Sequence, residues 1–448
     1  MRKYDVFVIG AGMAGAAVAK KCASKGLKTA ISDYRPYGGT CALRGCDPKK
    51  VLVDAANLHE KTRLHLGKGL DGDSSINWQA LMAFKNTFTD PVPEKMEKGF
   101  GKAGIDTYHC PISFVDEKTL QAGDEQISAE KIVVVTGARP RQLDIAGKEH
   151  TITSDDFLNL DKLPRHITFL GGGYISFEFA HLVARAGISV TIIDHGAHAL
   201  KHFEQDMVKH VLRVSKEAGI DVKLNTAARE IKAQGKGYAL TLVNGGDEQT
   251  LETGLVVRAI GRVPETEQLA LDKGNVTHSK KGIAVNEFLQ STSNPRVYAA
   301  GDVADTAGLP LTPIAVYEGH VLASNVVKGN NRKLNYSEIP TVVFTIPALA
   351  SVGLTEEQAI AQDLNFKVST GDATKWYNGR RTQAKAYAYK VLTDKENNTI
   401  IGAHLVGPHA EETINLFALA MKGGMQARDI QSFPFSYPTM GSDVAYMV

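Results

Sequence analysis

Apolar runs rich in β-branched residues recur along the chain, and glycine-rich turns follow the strongest of them. Residues 4–9 predict a buried parallel strand, residues 10–15 form a turn, a helix runs to about residue 25, and residues 27–32 predict the next strand. The same order recurs with a strand at 167–170, a turn at 171–173, a helix at 174–186 and a strand at 189–193. The chain therefore predicts two β-α-β units.

The pattern changes after about residue 340. Residues 341–345, 386–393 and 399–405 predict strands, and helices follow from Glu411 and Ala427. Earlier runs at 131–135, 254–260 and 296–300 predict further strands of the two β-α-β lobes. We expect an α/β protein with two Rossmann-like domains and a C-terminal α+β domain, and a domain boundary near Pro164.

Composition and charge narrow the class of protein only slightly. The chain has 448 residues and a net charge of +2, which indicates several domains and no strong attraction to nucleic acid or a membrane surface. Four cysteines are too few for a secreted disulfide scaffold, and no apolar run reaches the roughly 18 residues of a membrane span. The N-terminus superficially resembles a signal peptide, but cleavage would remove the first glycine turn, so we expect a cytoplasmic protein.

The first turn carries a dinucleotide-binding fingerprint. Gly10, Gly12 and Gly15 have the spacing that makes a tight turn, admits a pyrophosphate and lets the next helix pack closely. Asp33 ends the following strand, where an acid can bond a ribose hydroxyl. The order of strand, glycines, helix and acid makes this a specific signal for a bound dinucleotide.

The second turn repeats the fingerprint with one change. Gly171 and Gly173 are present, and Ser176 stands where a third glycine would be. Asp194 ends the second strand of this unit and favours a free ribose 2′-hydroxyl, which indicates NADH. A histidine and a lysine follow, and their charge would suit the 2′-phosphate of NADPH. We expect NADH, with NADPH as the alternative.

Two cysteines, Cys41 and Cys46, follow the first unit closely. Five helical steps would leave their Cα atoms about 8.5 Å apart, which is beyond disulfide reach. We therefore expect Cys41 on an irregular lead-in, a bend at Gly45, and Cys46 at a helix start, where the helix dipole favours a thiolate. The pair is predicted to be redox-active, and Cys22 and Cys110 to be inert core thiols.

These motifs together resemble those of the flavin disulfide reductases, the family of glutathione reductase, dihydrolipoamide dehydrogenase and mercuric reductase. The matching segments are 39–41, 45–50, 136–140, 259–262, 298–302, 311–313 and 352–356. The resemblance covers nearly the whole chain and implies FAD, hydride from NADH or NADPH, and a homodimer acting on a small-molecule substrate. It also implies an FAD-binding domain in residues 1–147 and 269–335, an NAD(P)H-binding domain in residues 148–268, and a dimerisation domain in residues 336–448.

The resemblance also gives individual residues their roles. Cys41 resembles the interchange thiol that attacks substrate, and Cys46 resembles the charge-transfer thiol next to the flavin. Lys49 and Glu178 resemble the ion pair near flavin N5, and Tyr174 resembles the aromatic gate over the nicotinamide pocket. Besides the two glycine turns and their acids, the implied cofactor contacts are Gly39, Thr40, Lys50, Thr136, Gly137, Gly261, Arg262, Gly301, Asp302 and Thr312.

The chain departs from this family near its C-terminus. The family has His-Pro-Thr followed by a Glu, whereas this chain reads Tyr437-Pro438-Thr439, with Ser442 where the Glu is expected. A tyrosine, with a reference pKa of about 10, is a poor base near neutral pH but can donate a proton to a leaving thiolate. Three hypotheses stay open. Tyr437 is the proton donor for a disulfide, the acceptor is a quinone or metal ion that needs no donor, or Tyr437 only walls the pocket while His409 or another group supplies protons.

Arg44 and Asp47 also depart from the family, which commonly has apolar or small neutral residues there. Arg44 either stabilises the thiolate, holds a carboxylate or phosphate of the substrate, or is an ordinary surface residue. His59 and His65 lack the spacing of a shared helix face, so no metal site is expected. The predicted activity is NAD(P)H-dependent reduction of a small disulfide; a quinone or metal-ion reductase and a redox-sensing binding protein are the competing classes.

Overall fold

The computed structural model describes all 448 residues, which form 25 strands and 14 α-helices. The strands are β1 (Arg2–Ile9), β2 (Thr29–Ser32), β3 (Asp106–Tyr108), β4 (Ile112–Phe114), β5 (Thr119–Ala122), β6 (Glu125–Val134), β7 (Ala138–Pro140), β8 (Thr151–Ile152), β9 (His166–Leu170), β10 (Ser189–Ile193), β11 (Ile220–Lys223), β12 (Ala227–Gln234), β13 (Gly237–Asn244), β14 (Asp247–Thr253), β15 (Leu255–Arg258), β16 (Arg262–Pro264), β17 (His278–Ser279), β18 (Gly282–Ala284), β19 (Val297–Ala299), β20 (Ala304–Asp305), β21 (Thr341–Val343), β22 (Ala348–Gly353), β23 (Phe366–Asp372), β24 (Ala388–Asp394) and β25 (Ile400–Gly407). The helices are α1 (Met13–Ala23), α2 (Gly39–Arg44), α3 (Cys46–His65), α4 (Trp78–Thr89), α5 (Val92–Lys102), α6 (Ser154–Phe157), α7 (Tyr174–Arg185), α8 (Gln205–Glu217), α9 (Thr312–Lys328), α10 (Glu356–Ala361), α11 (Tyr377–Arg381), α12 (Ala410–Lys422), α13 (Ala427–Gln431) and α14 (Met440–Asp443).

The chain divides into two units, each assembled from three separate segments. The first unit comprises Met1–Val51, Ala83–Arg141 and Gly261–Tyr336. The second comprises Leu52–Met82, Gln142–Ile260 and Ser337–Val448. The four-segment domain division given above stays a prediction. None of the helices is both long and apolar enough to cross a membrane.

A seven-stranded sheet forms the centre of the first unit. Strands β3, β2, β1 and β6 pair in parallel in that spatial order, and the long β6 also pairs with β19 near its end and with β5 near its start. Its central strand β1 is buried from Val6 to Ile9, as expected of a parallel strand covered on both faces. Helices α1 and α9 pack together against this sheet, with Val18 and Leu322 in one apolar cluster.

The second unit contains the repeated β-α-β design and the C-terminal sheet. A parallel sheet has the spatial order β11-β10-β9-β15-β8, and an antiparallel sheet has the order β21-β22-β25-β24-β23. One apolar cluster joins Phe177 of α7 with Leu349 of β22 and Leu52 of α3. The predicted α/β fold with two Rossmann-like sheets and a C-terminal α+β region is confirmed.

A buried lysine joins three elements of the second unit. The Nζ atom of Lys390 on β24 lies 3.0 Å from Glu204, 2.5 Å from Asp206 and 2.7 Å from Glu356. Burial by itself lowers the pKa of Lys390, but hydrogen bonds with these carboxylates outweigh it and raise the pKa above its ordinary value. The cation among the three acids is therefore the lysine's own ammonium group.

Candidate active site

The first glycine turn is shaped by two close approaches of the backbone. Gly10 has a φ of +111°, which favours glycine, and a Cβ atom on Gly15 would lie 1.9 Å from the carbonyl oxygen of Gly10. A Cβ on Gly12 would meet nothing closer than the Cα of Gly39, at 3.8 Å. The turn therefore has the tight packing and the open face that a pyrophosphate at the start of α1 requires.

Asp33 has a structural role in this turn. One carboxylate oxygen accepts from the N–H of Ala11 at 3.0 Å, and the other accepts from the N–H of Arg35 at 2.9 Å. The acid thus ties the end of β2 to the glycine turn. A carboxylate keeps further lone pairs after two such bonds, so Asp33 still has acceptor capacity for a ribose hydroxyl.

An open pocket lies beside the first turn. Gly10, Asp33 and Thr136 line it, and so do Cys110 and Glu265. Its position at the strand ends, next to the acid of the fingerprint, suits the adenosine part of a dinucleotide. Cys110 is half-buried, because it packs against the apolar cluster of the sheet and also lines this pocket, so the expectation of a core thiol holds only in part there; the fully buried Cys22 confirms it.

Further expected flavin contacts of the first unit lie on short turns or at the first residue of an element, as Arg262 of β16 and Thr312 of α9 do. Thr136 donates to the carbonyl of Glu265 at 2.6 Å, and Arg262 donates to the carbonyl of Ala138. Burial raises the pKa of Asp302 above its ordinary value, and the nearby charge of Arg262 opposes this. Gly137, Gly261 and Gly301 all have positive φ, so the backbone at these turns needs glycine.

The two cysteines lie on either side of a helix break. Cys41 is in α2, and Cys46 is the first residue of α3. The expectation of an irregular lead-in is therefore wrong, because residues 39–44 are helical; the predicted bend at Gly45 and the helix start at Cys46 are confirmed. A Cβ on Gly45 would lie 2.9 Å from the carbonyl oxygen of Thr40, so glycine permits the sharp turn.

The thiols of the pair differ in their proton affinity. A hydrogen bond from Cys41 to Cys46, together with burial, raises the pKa of Cys41. The same hydrogen bond, a contact with Thr312 Oγ1 at 3.3 Å and the charges of Lys49 and Lys50 lower the pKa of Cys46 to about 6, against the effect of burial. At neutral pH the reduced pair therefore holds a thiolate at Cys46 and a thiol at Cys41.

This asymmetry predicts an early thiolate transition in the reduced protein. Because the pKa of Cys46 is lowered to about 6, its thiolate is present above that pH and is lost on acidification through it. Thiolate absorbance in the ultraviolet should rise with a midpoint near pH 6, and Cys46→Ser should remove that transition. A reduced protein whose first thiol titrates near the ordinary value, about 8.5, would contradict the assignment.

The second glycine turn follows the design of the first. Gly171 has a φ of +107°, and a Cβ there would lie 2.5 Å from the carbonyl oxygen of Ala259, whereas Gly173 at the start of α7 has open space. Asp194 accepts from the N–H of Gly172 and, at 2.6 Å, from the N–H of Gly196. Both expected nucleotide turns are thus held by the acid that ends the second strand of their unit.

Helix α7 runs from the second turn into a polar network. Tyr174, its first residue, is 41% exposed, and Glu178 one turn later is buried. A carboxylate oxygen of Glu178 accepts from the backbone N–H of Phe344 at 2.7 Å. Lys49 belongs to the first unit and Glu178 to the second, so their ion pair stays a prediction.

Further along the same face of α7, His181 and Arg185 bind the same segment. His181 Nδ1 accepts from the N–H of Ile346 at 3.1 Å, and its Nε2 lies 2.8 Å from Ser215 Oγ. Burial lowers the pKa of His181, so the ring is neutral with its proton on Nε2. Arg185 donates to the carbonyl of Ile346 at 3.2 Å and lies 3.7 Å from Glu60. Residues 344–346 are therefore fixed to the helix that carries Glu178.

The other residues singled out in the sequence are Tyr437 and the residues on either side of the bend at Gly45. Tyr437 is 74% exposed in the second unit. Arg44 is the last residue of α2 and is half-buried, Lys50 lies on α3, and Thr40 and Gly39 begin α2. The sulfur of Cys41 lies 3.8 Å from a carboxylate oxygen of Asp47, a contact between two residues on opposite sides of the bend.

Sequence reasoning missed several polar residues around the site. Glu318 on α9 is buried and accepts from Gly301 N and from the hydroxyl of Tyr336, both at 2.5 Å. His181 and Arg185 were not singled out either. A glutamate or histidine with apolar neighbours in a largely apolar helix is the signal that could have revealed Glu318 and His181, because a buried polar group needs a partner.

The fold and site define a dinucleotide-binding redox protein with an asymmetric dithiol. The sequence-family model of the pyridine nucleotide-disulphide oxidoreductases matches residues 4–319, and the family model of their dimerisation domain matches residues 339–448. Glutathione reductase of Nostoc sp. is 31% identical over 99% of both chains, and mercuric reductase of Staphylococcus aureus is 30% identical over 98% of this chain and 80% of its own. The Cu(II) complex of the HOCl-induced flavoprotein disulfide reductase RclA from Escherichia coli is 26% identical, with a TM-score of 0.90 over 100% of this chain and 99% of that one.

The chain belongs to the pyridine nucleotide-disulphide oxidoreductase family. Its relatives are enzymes that depend on FAD and NAD(P)H. The recognition of the family from the sequence, its enzyme class and the presence of a dimerisation domain are confirmed.

Proposed function

We propose that this protein uses NAD(P)H and FAD to keep the Cys41–Cys46 pair reduced, and that the pair reduces a low-molecular-weight disulfide. The observation that carries the proposal is the placement of the pair at the helix break, with Cys46 at the start of α3 beside Thr312 and Cys41 on α2 beside the exposed Asp47. Cys41 attacks the substrate, and Cys46 then closes the internal disulfide.

The residues of the first unit fit the flavin that the family uses. A Cβ on Gly12 at the start of α1 would meet no atom closer than 3.8 Å, and the adjacent pocket is lined by Asp33 and Thr136. FAD, when bound, accepts a hydride from NAD(P)H and passes an electron pair to a disulfide. Lys49 would support the flavin ring, and Glu178 is held within the second unit by the N–H of Phe344.

The nicotinamide site is proposed at the second glycine turn. Gly173 would admit the pyrophosphate at the start of α7, Tyr174 would cover the nicotinamide pocket, and Asp194 would bond a ribose 2′-hydroxyl. The acid at that position supports NADH over NADPH. A homodimer in the cytoplasm, where NAD(P)H is available, is part of the same proposal.

Counting thiols tests the proposal that electrons from NAD(P)H reduce the Cys41–Cys46 pair. One equivalent of NADH, added without oxygen to the oxidised holoenzyme, should create two new thiols per chain, located by mass spectrometry at Cys41 and Cys46. NADPH serves as the comparison for nucleotide preference. Bleaching of the flavin with no new thiols would show that the cysteines lie outside the electron path.

A second candidate function is reduction of a metal ion or a quinone. The similar protein RclA has been solved as a complex with Cu(II). In this chain Tyr437 stands where the family has the histidine that acts as acid and base in thiol chemistry. Acceptors that take electrons without a protonated leaving thiol would not need that histidine. Turnover with Cu(II) or a quinone that exceeds turnover with every disulfide tested would favour this candidate.

Tyr437 is proposed as the proton donor to the leaving thiolate. Replacing it with Phe removes the hydroxyl and keeps the ring, so disulfide turnover should fall at least about tenfold. Removing an acid–base group whose pKa matches the working pH typically lowers the rate ~10²–10⁴-fold, and a smaller loss is expected here because tyrosine is a poorer match. Reduction of the flavin by NADH should be unchanged in stopped-flow measurements. Tyr446→Phe is the matched control, because that exposed tyrosine lies in the same C-terminal segment. Undiminished turnover in Tyr437→Phe would make the tyrosine only a wall of the pocket.

A further inference from the structure

The two thiols of the redox pair face charges of opposite sign. Lys49 and Lys50 act on Cys46 and favour its thiolate. The sulfur of Cys41 instead lies 3.8 Å from a carboxylate oxygen of Asp47. The negative charge of Asp47 disfavours a thiolate at Cys41. The surroundings are therefore positive at Cys46 and negative at Cys41.

Asp47 reaches Cys41 because of the helix break. It follows Cys46 directly in the first turn of α3, where an acid suits the helix dipole, and the bend at Gly45 brings this turn back toward α2. Asp47 is exposed to solvent. A molecule that comes within bonding distance of the Cys41 sulfur must therefore approach a carboxylate closely.

We propose that Asp47 selects the electron acceptor by charge, so that the preferred substrate is a small disulfide carrying ammonium groups near its sulfur atoms. Disulfides that carry carboxylates are disfavoured by the same charge. Two unit charges about 5 Å apart at a protein surface interact strongly enough to change a rate about tenfold. This inference rests on the proposed function of Cys41 as the residue that attacks the substrate.

The step itself is thiol–disulfide exchange. The sulfur of Cys41 attacks one sulfur of the substrate, the substrate S–S bond breaks, and one thiol leaves. The thiolate of Cys46 then attacks the sulfur of Cys41, the second thiol leaves, and the two cysteines are oxidised to their disulfide. Two electrons pass from the dithiol to the substrate. The proton of the Cys41 thiol and one proton from solvent, delivered through the Tyr437 hydroxyl proposed above, convert both leaving thiolates into thiols.

Arg44 is the charge that opposes this selection. It ends α2, three residues after Cys41, and a dominant role for it would favour substrates with carboxylates or phosphates. Arg44 is half-buried, whereas the carboxylate of Asp47 is exposed and contacts the Cys41 sulfur. Asp47 is therefore placed to act on a molecule that approaches the Cys41 sulfur.

Charged thiol reagents test the selection at Cys41 without requiring turnover. The reduced holoenzyme with Cys46→Ser is treated with trimethylammonium-ethyl or sulfonato-ethyl methanethiosulfonate, and modification of Cys41 is followed by mass spectrometry. The ratio of the cationic to the anionic rate should fall at least tenfold when Asp47→Asn is added, and higher salt should lower the starting ratio. Asp54→Asn, which removes an exposed acid two turns further along α3, should leave the ratio within twofold. An equal ratio in the two variants, or a faster anionic reagent in the parent, would overturn the inference.

Turnover of the holoenzyme separates this inference from the proposed function. With wild-type cysteines, cystamine should have a higher kcat/KM than dithiodiglycolate, and Asp47→Asn should reduce that preference at least tenfold. Disulfide turnover without any effect of Asp47→Asn on this preference would overturn the charge selection alone. Absence of all disulfide turnover, together with an Asp47-dependent reagent ratio, would overturn the proposed function and leave the charge selection supported.

Discussion

Cys41→Ser is expected to abolish reduction of disulfides by this enzyme while NADH still reduces the flavin. Serine is similar in size to cysteine, but its hydroxyl cannot form the mixed disulfide through which Cys41 is proposed to pass electrons. Loss of a nucleophile removes most of the rate, so turnover with a small disulfide should fall at least about 10³-fold. Stopped-flow reduction of the flavin and steady-state turnover, measured on the same preparation, separate the two halves of the reaction.

The same variant distinguishes the two candidate functions. Full turnover of a quinone or metal ion by Cys41→Ser would show that electrons leave without this thiol, and the cysteines would then be structural or sensory. Cys22→Ala is the matched control, because Cys22 lies buried among alanines of α1 and burial raises its pKa to about 12. That control should keep disulfide turnover close to wild type.

Gly15→Ala is expected to cost the protein its FAD. The new Cβ would lie 1.9 Å from the carbonyl oxygen of Gly10, so α1 cannot stay as close to the glycine turn as it does in the wild type. Overpacking of this kind typically costs ~1–3 kcal/mol, and a cost of ~3 kcal/mol in the FAD-bound state corresponds to a ~100-fold loss in FAD affinity. Flavin absorbance per chain after dialysis measures the loss.

Gly101→Ala provides the matched control for this prediction. Gly101 lies in α5 of the same unit, and a Cβ there would meet no atom within 4 Å. Alanine also has the better helix propensity, so this variant should keep its FAD and its thermal stability. A Gly15→Ala protein that stays fully loaded with FAD after dialysis would contradict the role assigned to the close approach.

Local motifs allowed much of the site to be predicted from the sequence. The glycines at 10 and 171 need positive φ, and the acids Asp33 and Asp194 end strands as expected. Cys46 begins a helix because Gly45 interrupts the helical backbone between α2 and α3. Each of these features depends on residues within one β-α-β unit or one turn, so a short stretch of sequence is enough to predict it.

Contacts between distant segments were not predictable in the same way. The N–H groups of Phe344 and Ile346 bind Glu178 and His181, which lie more than 160 residues earlier. Glu318 on α9 likewise accepts a hydrogen bond from Tyr336, which lies 18 residues later, beyond the end of that helix. Such partners come together only because the tertiary fold brings distant segments close in space, and a single sequence does not show which distant segments will be neighbours.

The sequence by itself determined the class of this protein, its two nucleotide turns and the position of the redox cysteines, because glycine spacing, strand-ending acids and helix starts follow local steric and electrostatic rules. Only the tertiary structure decided how the two thiols differ. The bend at Gly45 brings Asp47 to the sulfur of Cys41, while Lys49, Lys50 and Thr312 favour the thiolate of Cys46. That difference arises from distances between side chains, and folding alone sets those distances.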